Sequence, residues 1–381
     1  MSYLEYHQKW TPSGPTKILY FNWVLVALIT AVACAGFLML YSVAGGDFSR
    51  WSQPMVERFG MGLGLMFFIG LVPIWFWRNM AALLFALSLA LLVAVPFIGE
   101  TNMGAQRWIN LGFIRLQPSE LVKLTLVMVL AAYYDWLDVK KVSHPLWVLV
   151  PVVLILLPAF LVLRQPDLGT ALLLALGGGA VMFLAGVSLW YFAAVLSAGV
   201  GAVVAVFLTR GTPYQLLKDY QYRRIDTFLD PSLDPLGSAY HITQSKIALG
   251  SGGWTGRGFM QGTQSRLNFL PEKQTDFIFT ALAEEFGFVG ATSLLIAYFL
   301  IMATCVISAL RNTDRFGSLV TLGVVVVFFL LFAVNMSMVM GMAPVVGVPL
   351  PLVSFGGSAM LVLMIGFGLV QSAHVHRARS R

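Results

Sequence analysis

LPEKQTDFIFTALAEEFGFVGATSLLIAYFLIMATCVISAL, residues 270–310, joins a polar lead to an apolar run. From Phe277 to Leu310 the run is long enough to cross a bilayer, for which about 20 residues suffice. Asp276 stands directly against Phe277, Ile278 and Phe279, at the start of that run. A carboxylate at a bilayer boundary is costly unless something compensates it, so an acid at this depth is a functional-site candidate.

Apolar runs of similar kind recur through the chain: Ile18 to Val43, Phe59 to Trp77, Met80 to Ile98, Leu116 to Tyr134, Leu146 to Leu163, Thr170 to Val187, Leu189 to Leu208, Leu319 to Met340 and Leu352 to Gln371. With 58% hydrophobic and 11% charged residues and a mean hydropathy of +0.81, the composition lies outside that of soluble domains. The expectation is an all-α polytopic membrane protein of about ten transmembrane helices. No polar linker divides two cores, so residues 1–381 read as one membrane domain. The single long polar segment, residues 210–275, falls between the seventh and eighth spans.

Ala31-Val32-Ala33-Cys34 faintly resembles a cleavage site, but apolar character continues through Leu40, beyond the length of a signal h-region. The first run therefore reads as an uncleaved anchor. Cys34 and Cys305 both fall inside spans and suggest packing rather than a disulfide or a metal. His241 has no second ligand at zinc spacing, so no metal site is expected.

With the amino terminus in the cytoplasm, the inner side receives Lys9, Lys17, Arg78, Lys140, Lys141, Arg311, Arg315, Arg377, Arg379 and Arg381. The outer short connections receive Arg50, Arg58, Arg107, Arg115 and Arg164. This balance puts both termini inside and residues 210–275 outside. The net charge of +7 is scattered between spans rather than gathered on a soluble face, so nucleic acid is not the expected partner. Anionic lipids and an anionic substrate account for it.

Four polar clusters then share the outer face: GAQRWINLGFIRLQPSELVK (104–123), RQPDLGT (164–170), the loop ending GTQSRLNFLPEKQTDFIF (262–279), and GVPLPLVSFGGS (347–358). Irregular backbone at membrane depth is tolerated only inside protein or around a wet cavity. Four such elements on one side suggest a cavity open to the outer leaflet.

Together, in this order, the clusters resemble the signature blocks of the SEDS family (shape, elongation, division and sporulation), polytopic glycosyltransferases that polymerise the peptidoglycan precursor lipid II. The GTQSRLNFLPEKQTDFIF block is similar to the rod-shape, elongation branch. One departure is Gln274, where His commonly precedes the Thr-Asp pair. The resemblance implies ten spans, a large external loop after the seventh, a bacterial inner-membrane location with the active site facing the periplasm, and association with an elongation-type class B penicillin-binding transpeptidase and other elongation-complex membrane proteins. It also implies Asp276 as the catalytic acid–base group and functional positions at Trp108, Arg115, Glu120 and Lys123.

The residues can be weighed for that chemistry independently. Joining a lipid-diphosphate sugar to a sugar 4-hydroxyl needs one base and cations to neutralise the leaving diphosphate, with inversion of an α-linked donor to a β-1,4 product. Asp276 is the candidate base. Thr275 reads as its helix N-cap and Gly287 as a C′ residue or kink, so the helix dipole would lower its pKa while burial raises it. Spacing alone favours a merely helix-starting carboxylate; the resemblance reverses that preference.

Glu120 and Lys123, three residues apart, share a helix face and can pair, either to orient the helix or to meet substrate. Arg115, Lys123 and Arg257 are candidate diphosphate contacts, and Trp108 is either a substrate surface or an interfacial aromatic. Asp167 reads as a cap or an arginine partner. The run GSGGWTGRG could form an amide nest for phosphate, near Lys246, Arg223 and Arg224. A divalent cation, Mg²⁺ or Mn²⁺, could bridge the diphosphate to Asp276 or Glu120. A lipid II flippase, expected to show paired broken helices in both halves, and a non-catalytic scaffold are the competing readings.

Overall fold

The computed structural model describes residues 12, 14–102, 105–110, 112, 115–213, 215–216, 222, 226, 230, 238–267 and 272–377. Lys9, Arg223, Arg224, Arg379 and Arg381 lie outside the described residues.

Each apolar run forms one long helix: α1 (Trp23–Val43), α2 (Ser52–Leu71), α3 (Ile74–Ile98), α4 (Pro118–Trp136), α5 (Pro145–Arg164), α6 (Leu168–Leu184) and α7 (Leu189–Leu208) precede the long polar segment. Within that segment lie α8 (Ser238–Ser251) and the single turn α9 (Thr263–Arg266). After it come α10 (Ile278–Leu310), α11 (Arg315–Val339) and α12 (Gly357–Val375). Eight of these helices are long and apolar enough to cross a membrane. The remaining two of the ten have physical reasons to fall short: α6 has 17 residues, and α4 carries Glu120, Lys123 and Asp135.

Alternating helix directions put the chain's connections at two ends. At one end Asn22 N donates to Gln371 Oε1 (2.9 Å), Ser372 Oγ to Val72 O (2.7 Å) and Arg315 Nη1 to Leu137 O (3.1 Å). All four polar clusters lie at the other. α12 is the most enclosed span, whereas α7 has no buried residue and lies on the outside of the bundle, touching it through Tyr191 OH, which donates to Ser143 O.

The sequence gives no strand signal, yet the α3–α4 connection folds as a small antiparallel sheet of β1 (Glu100–Asn102), β2 (Ala105–Asn110) and β3 (Arg115–Leu116). Glu100 pairs with Trp108, and Asn110 with Arg115. Strands this short, with a register shift between Glu100 and Thr101, carry too little alternation to be read from sequence.

Gly287 is a kink, with φ 64° and ψ −161°, a conformation open mainly to glycine. The kink interrupts the α10 hydrogen-bond ladder, and the glycine-rich run supplies the replacement partners. Arg257 N and Gly258 N donate to Glu284 O and Glu285 O (3.0 Å each), while Phe288 N and Val289 N donate to Gly253 O and Trp254 O (2.9 and 3.1 Å). Two amides of the expected phosphate nest, Arg257 N and Gly258 N, are therefore taken by α10, where unpaired backbone would be costly.

Candidate active site

Asp276 lies in the turn 272–277 just ahead of α10 and is partly exposed. The N-cap of α10 is Phe277, without a side-chain cap, so the expectation of Thr275 as N-cap is corrected. Thr275 Oγ1 instead donates to Glu272 O and Glu272 Oε2 (3.2 and 3.1 Å), closing the turn on itself. Asp276 consequently precedes the helix rather than occupying its first turn. Burial, and then the neighbouring Glu272 carboxylate, push its pKa up from 3.8 to about 6. The tension between dipole and burial resolves in favour of burial.

Three donors from two elements hold this turn by its backbone. Asn335 Nδ2, on α11, donates to both Asp276 O (2.9 Å) and Val348 O (2.8 Å). Phe355 N donates to Gln274 O (2.8 Å), and Ser354 Oγ donates to Thr275 O. The segment from Val348 to Ser354 is itself buried, with Leu350 N donating to Ser354 Oγ (2.8 Å) and Tyr298 OH to Pro351 O. Two of the four polar clusters are thus welded into one support, and Asp276 Oδ2 lies beside Gly347. This is irregular backbone enclosed in protein, its polar groups met by side chains chosen for that task.

Glu120 and Lys123 form a buried ion pair (2.7 Å) on α4. They border a cavity of about 20 Å³ with Leu331 of α11 and Leu363 of α12. The α11 lining of this cavity runs from Val324 to Leu331, roughly one to three helical turns from Asn335, so the ion pair lies deeper in the bundle than the backbone clamp on Asp276. Trp108 is half-buried on β2, and Arg115 is exposed on β3 with Nε 3.7 Å from Glu100 Oε2. The sheet is anchored by Arg107, whose Nε and Nη2 donate to Gln165 O (3.1 Å) and Pro166 O (2.6 Å). Asp167 fills both of its expected structural roles, accepting from Thr170 N (3.1 Å) and facing Arg107 Nη1 (3.7 Å).

Arg257 stands apart from Asp276. Its Nη1 donates to Thr263 Oγ1 (2.9 Å), which in turn donates to Glu284 Oε1 (2.9 Å). Glu284 lies six residues beyond Ile278, the first residue of α10, about 9 Å by helical rise, and Asp276 precedes that start. The buried pair Glu284 and Glu285 was not singled out by sequence reading; Glu285 accepts from Ser42 Oγ and from Met260 N (3.1 Å) and so ties α1 and the external segment to α10. Asn335 and Lys273 were also missed. The signal for Asn335 was available, because an amide inside an apolar span demands a partner. Lys273 is half-buried beside Asp276's turn, where burial and then Arg50 lower its pKa. Among the described residues no group of three or more His, Cys, Asp or Glu side chains is placed to hold a metal ion.

The family model for FtsW, RodA and SpoVE, described as a cell cycle protein family, matches residues 18–379. The chain belongs to that family. Among curated relatives, this family member is 42% identical to the peptidoglycan glycosyltransferase MrdB of Escherichia coli K12 over 95% of its own length and 94% of the relative's. It is 32% identical to the stage V sporulation protein E of Bacillus subtilis over 91% of its length and 95% of the relative's. Its fold is similar to Thermus thermophilus RodA (TM-score 0.70, 28% identity, 94% and 97% of the two chains). A component of a peptidoglycan synthase complex, studied for its coordination of polymerisation and crosslinking, matches with TM-score 0.77 and 31% identity over 93% and 97% of the two chains.

Proposed function

We infer that this chain is a peptidoglycan glycosyltransferase of the RodA/MrdB type, acting in cell elongation, and that Asp276 is its base. The chain is a multi-pass membrane enzyme that extends glycan strands, with lipid II as the donor. The observation that carries the mechanism is a partly exposed carboxylate with a pKa raised to about 6, on a turn whose carbonyls at Asp276, Thr275 and Gln274 accept from Asn335 Nδ2, Ser354 Oγ and Phe355 N. A base is most effective when its pKa approaches the working pH while most of it stays ionised. At pH 7 a group with a pKa near 6 is about nine-tenths ionised, and it is a stronger base than an ordinary aspartate.

In the proposed step Asp276 removes the proton of the acceptor 4-hydroxyl as its oxygen attacks the anomeric carbon of the donor. The bond from that carbon to the diphosphate breaks, the new glycosidic bond forms with inversion, and the electron pair leaves on the diphosphate. Cations offset the developing charge there. Lys123, held by Glu120, is the proposed counter-charge from the deeper layer, and Arg115 from the sheet once it releases Glu100. Trp108 offers the sugar an aromatic face. Arg257 is a third candidate diphosphate contact, available once it releases Thr263. Mg²⁺ or Mn²⁺ arriving with the diphosphate is a further candidate for charge neutralisation.

Both termini are assigned to the cytoplasm and the site to the periplasmic side of the inner membrane. Lys17, Arg78, Lys140, Lys141, Arg311, Arg315 and Arg377 favour the end opposite the site as the cytoplasmic one. A class B penicillin-binding transpeptidase of the elongation type is the proposed partner, together with other elongation-complex membrane proteins; the likeness to a peptidoglycan synthase complex supports this. The test places purified protein in vesicles with fluorescent lipid II. Glycan ladders are expected; label that crosses the bilayer without being joined would instead favour a flippase.

A further inference from the structure

α12 begins inside the protein, and its first turn is made only of donors. Its N-cap, Gly356, supplies no side-chain cap, and the first ladder bond runs from Met360 N to Gly356 O (3.1 Å). The amides of Gly357, Ser358 and Ala359 therefore precede the ladder, and among the described residues none is given a backbone or side-chain acceptor outside the helix. Ser358 is 1% exposed, and its Oγ is buried without a hydrogen-bond partner. A side chain in the first turn leans back toward the helix start, so this hydroxyl lies with the bare amides.

Arg58 of α2 covers the same turn. Its guanidinium carbon stands 5.2 Å from the centre of the Phe355 ring, and a Cβ added to Gly357 would come within 3.0 Å of it. Glycine at 357 is what lets the guanidinium approach the helix end so closely. Among the described residues no carboxylate lies within ion-pair distance of Arg58. A guanidinium against Gly357, an unpartnered hydroxyl on the next residue, three bare amides and the positive end of a helix dipole thus gather at one helical turn, the kind of donor set that binds phosphate elsewhere.

We propose that Arg58, Ser358 and the first amides of α12 form an anion cradle for the diphosphate of the prenyl-linked substrate. The choice of ligand rests on the glycosyltransferase reading above; the cradle itself does not. Its position suits that role. Phe355 N is bonded to Gln274 O, so the chain keeps the cradle and Asp276 at the same end of the bundle, no more than about 20 Å apart. An inverting displacement puts the attacking hydroxyl and the departing diphosphate on opposite faces of the sugar's anomeric carbon, so the base and the cradle would flank the sugar. Phosphate on an ordinary phospholipid offers the same chemistry, so the test must separate the two sources.

Binding of undecaprenyl diphosphate to the purified full chain is measured in nanodiscs of zwitterionic lipid and again in nanodiscs rich in phosphatidylglycerol. Arg58→Gln is expected to weaken binding at least about tenfold, Arg58→Lys less, and Ser358→Ala a few-fold. The probe should raise the Tm of the wild type and leave that of Arg58→Gln unmoved; Ser358→Ala, a minimal change, keeps the test informative if Arg58→Gln folds poorly. Unchanged affinity in both Arg58→Gln and Ser358→Ala would overturn the cradle, as would complete competition by phosphatidylglycerol. The readout needs no turnover. Wild-type polymerisation with unchanged binding in the variants removes the cradle and leaves the enzyme, whereas Arg58-dependent binding without polymerisation removes the enzyme and leaves the cradle.

Discussion

The raised pKa of Asp276 makes the acidic limb of the pH–rate profile a direct readout of the site. With a pKa of about 6, set first by burial and second by Glu272, the base is about 97% ionised at pH 7.5, half ionised at pH 6 and about 9% ionised at pH 5. Initial rates should therefore fall roughly tenfold between pH 7.5 and pH 5. An aspartate left at 3.8 would lose only about 6% over the same interval. Glu272→Gln removes the like charge and retains an amide oxygen that can accept from Thr275 Oγ1. Because burial is the larger cause, the limb should move down by less than about one unit rather than return to an ordinary value. The assay is glycan polymerisation by purified protein from lipid II, with folding checked at each pH by size exclusion. A limb centred below about pH 4.5, or one displaced upward by Glu272→Gln, would refute the reasoning.

Other expectations follow from the same geometry. Lys123→Met leaves Glu120 buried without its cation and should cost about 3–5 kcal/mol, read as lost thermal stability in detergent; the double variant with Glu120→Gln should recover stability but not polymerisation. Gly287→Ala places a Cβ within 2.3 Å of Gly256 N at a positive φ, and should lower Tm and loosen the 251–258 segment in hydrogen exchange. Burial raises the folded-state pKa of Asp276, so its contribution to stability is full below about 3.8 and is lost as pH rises through about 6. Asp276→Asn should accordingly raise Tm by about 1–3 °C at pH 8 and by much less at pH 4. Titrating Mg²⁺ into chelator-treated protein should restore rate if the cation accompanies the diphosphate, and no response would remove it from the mechanism.

The helices were legible because twenty-residue apolar runs leave little choice of structure, and every run became one. The gathering of polar clusters at one end followed from counting crossings. Asp276 was legible as an acid out of place, and Asp167 as a cap. What stayed hidden depended on contacts distant in sequence. Thr275 has the chemistry of an N-cap, but Glu272 takes its hydroxyl and the helix starts at Phe277 instead. The glycine-rich run looked suited to phosphate, but the ladder broken at Gly287 claims two of its amides, Arg257 N and Gly258 N. Arg58 registered only as one charge in a topology count, because its approach to Gly357 depends on how α2 meets α12. Asn335 lay within an apolar run and gains its meaning from Asp276, 59 residues away.

The central claim is that Asp276 takes the acceptor's proton, and single-turnover polymerisation by Asp276→Asn under saturating lipid II tests it most directly. Loss of a positioned base should slow the chemical step by about a hundredfold to ten-thousandfold while lipid II affinity stays near the wild-type value. A variant that polymerises at the wild-type rate, or one whose defect lies wholly in substrate affinity, would contradict it.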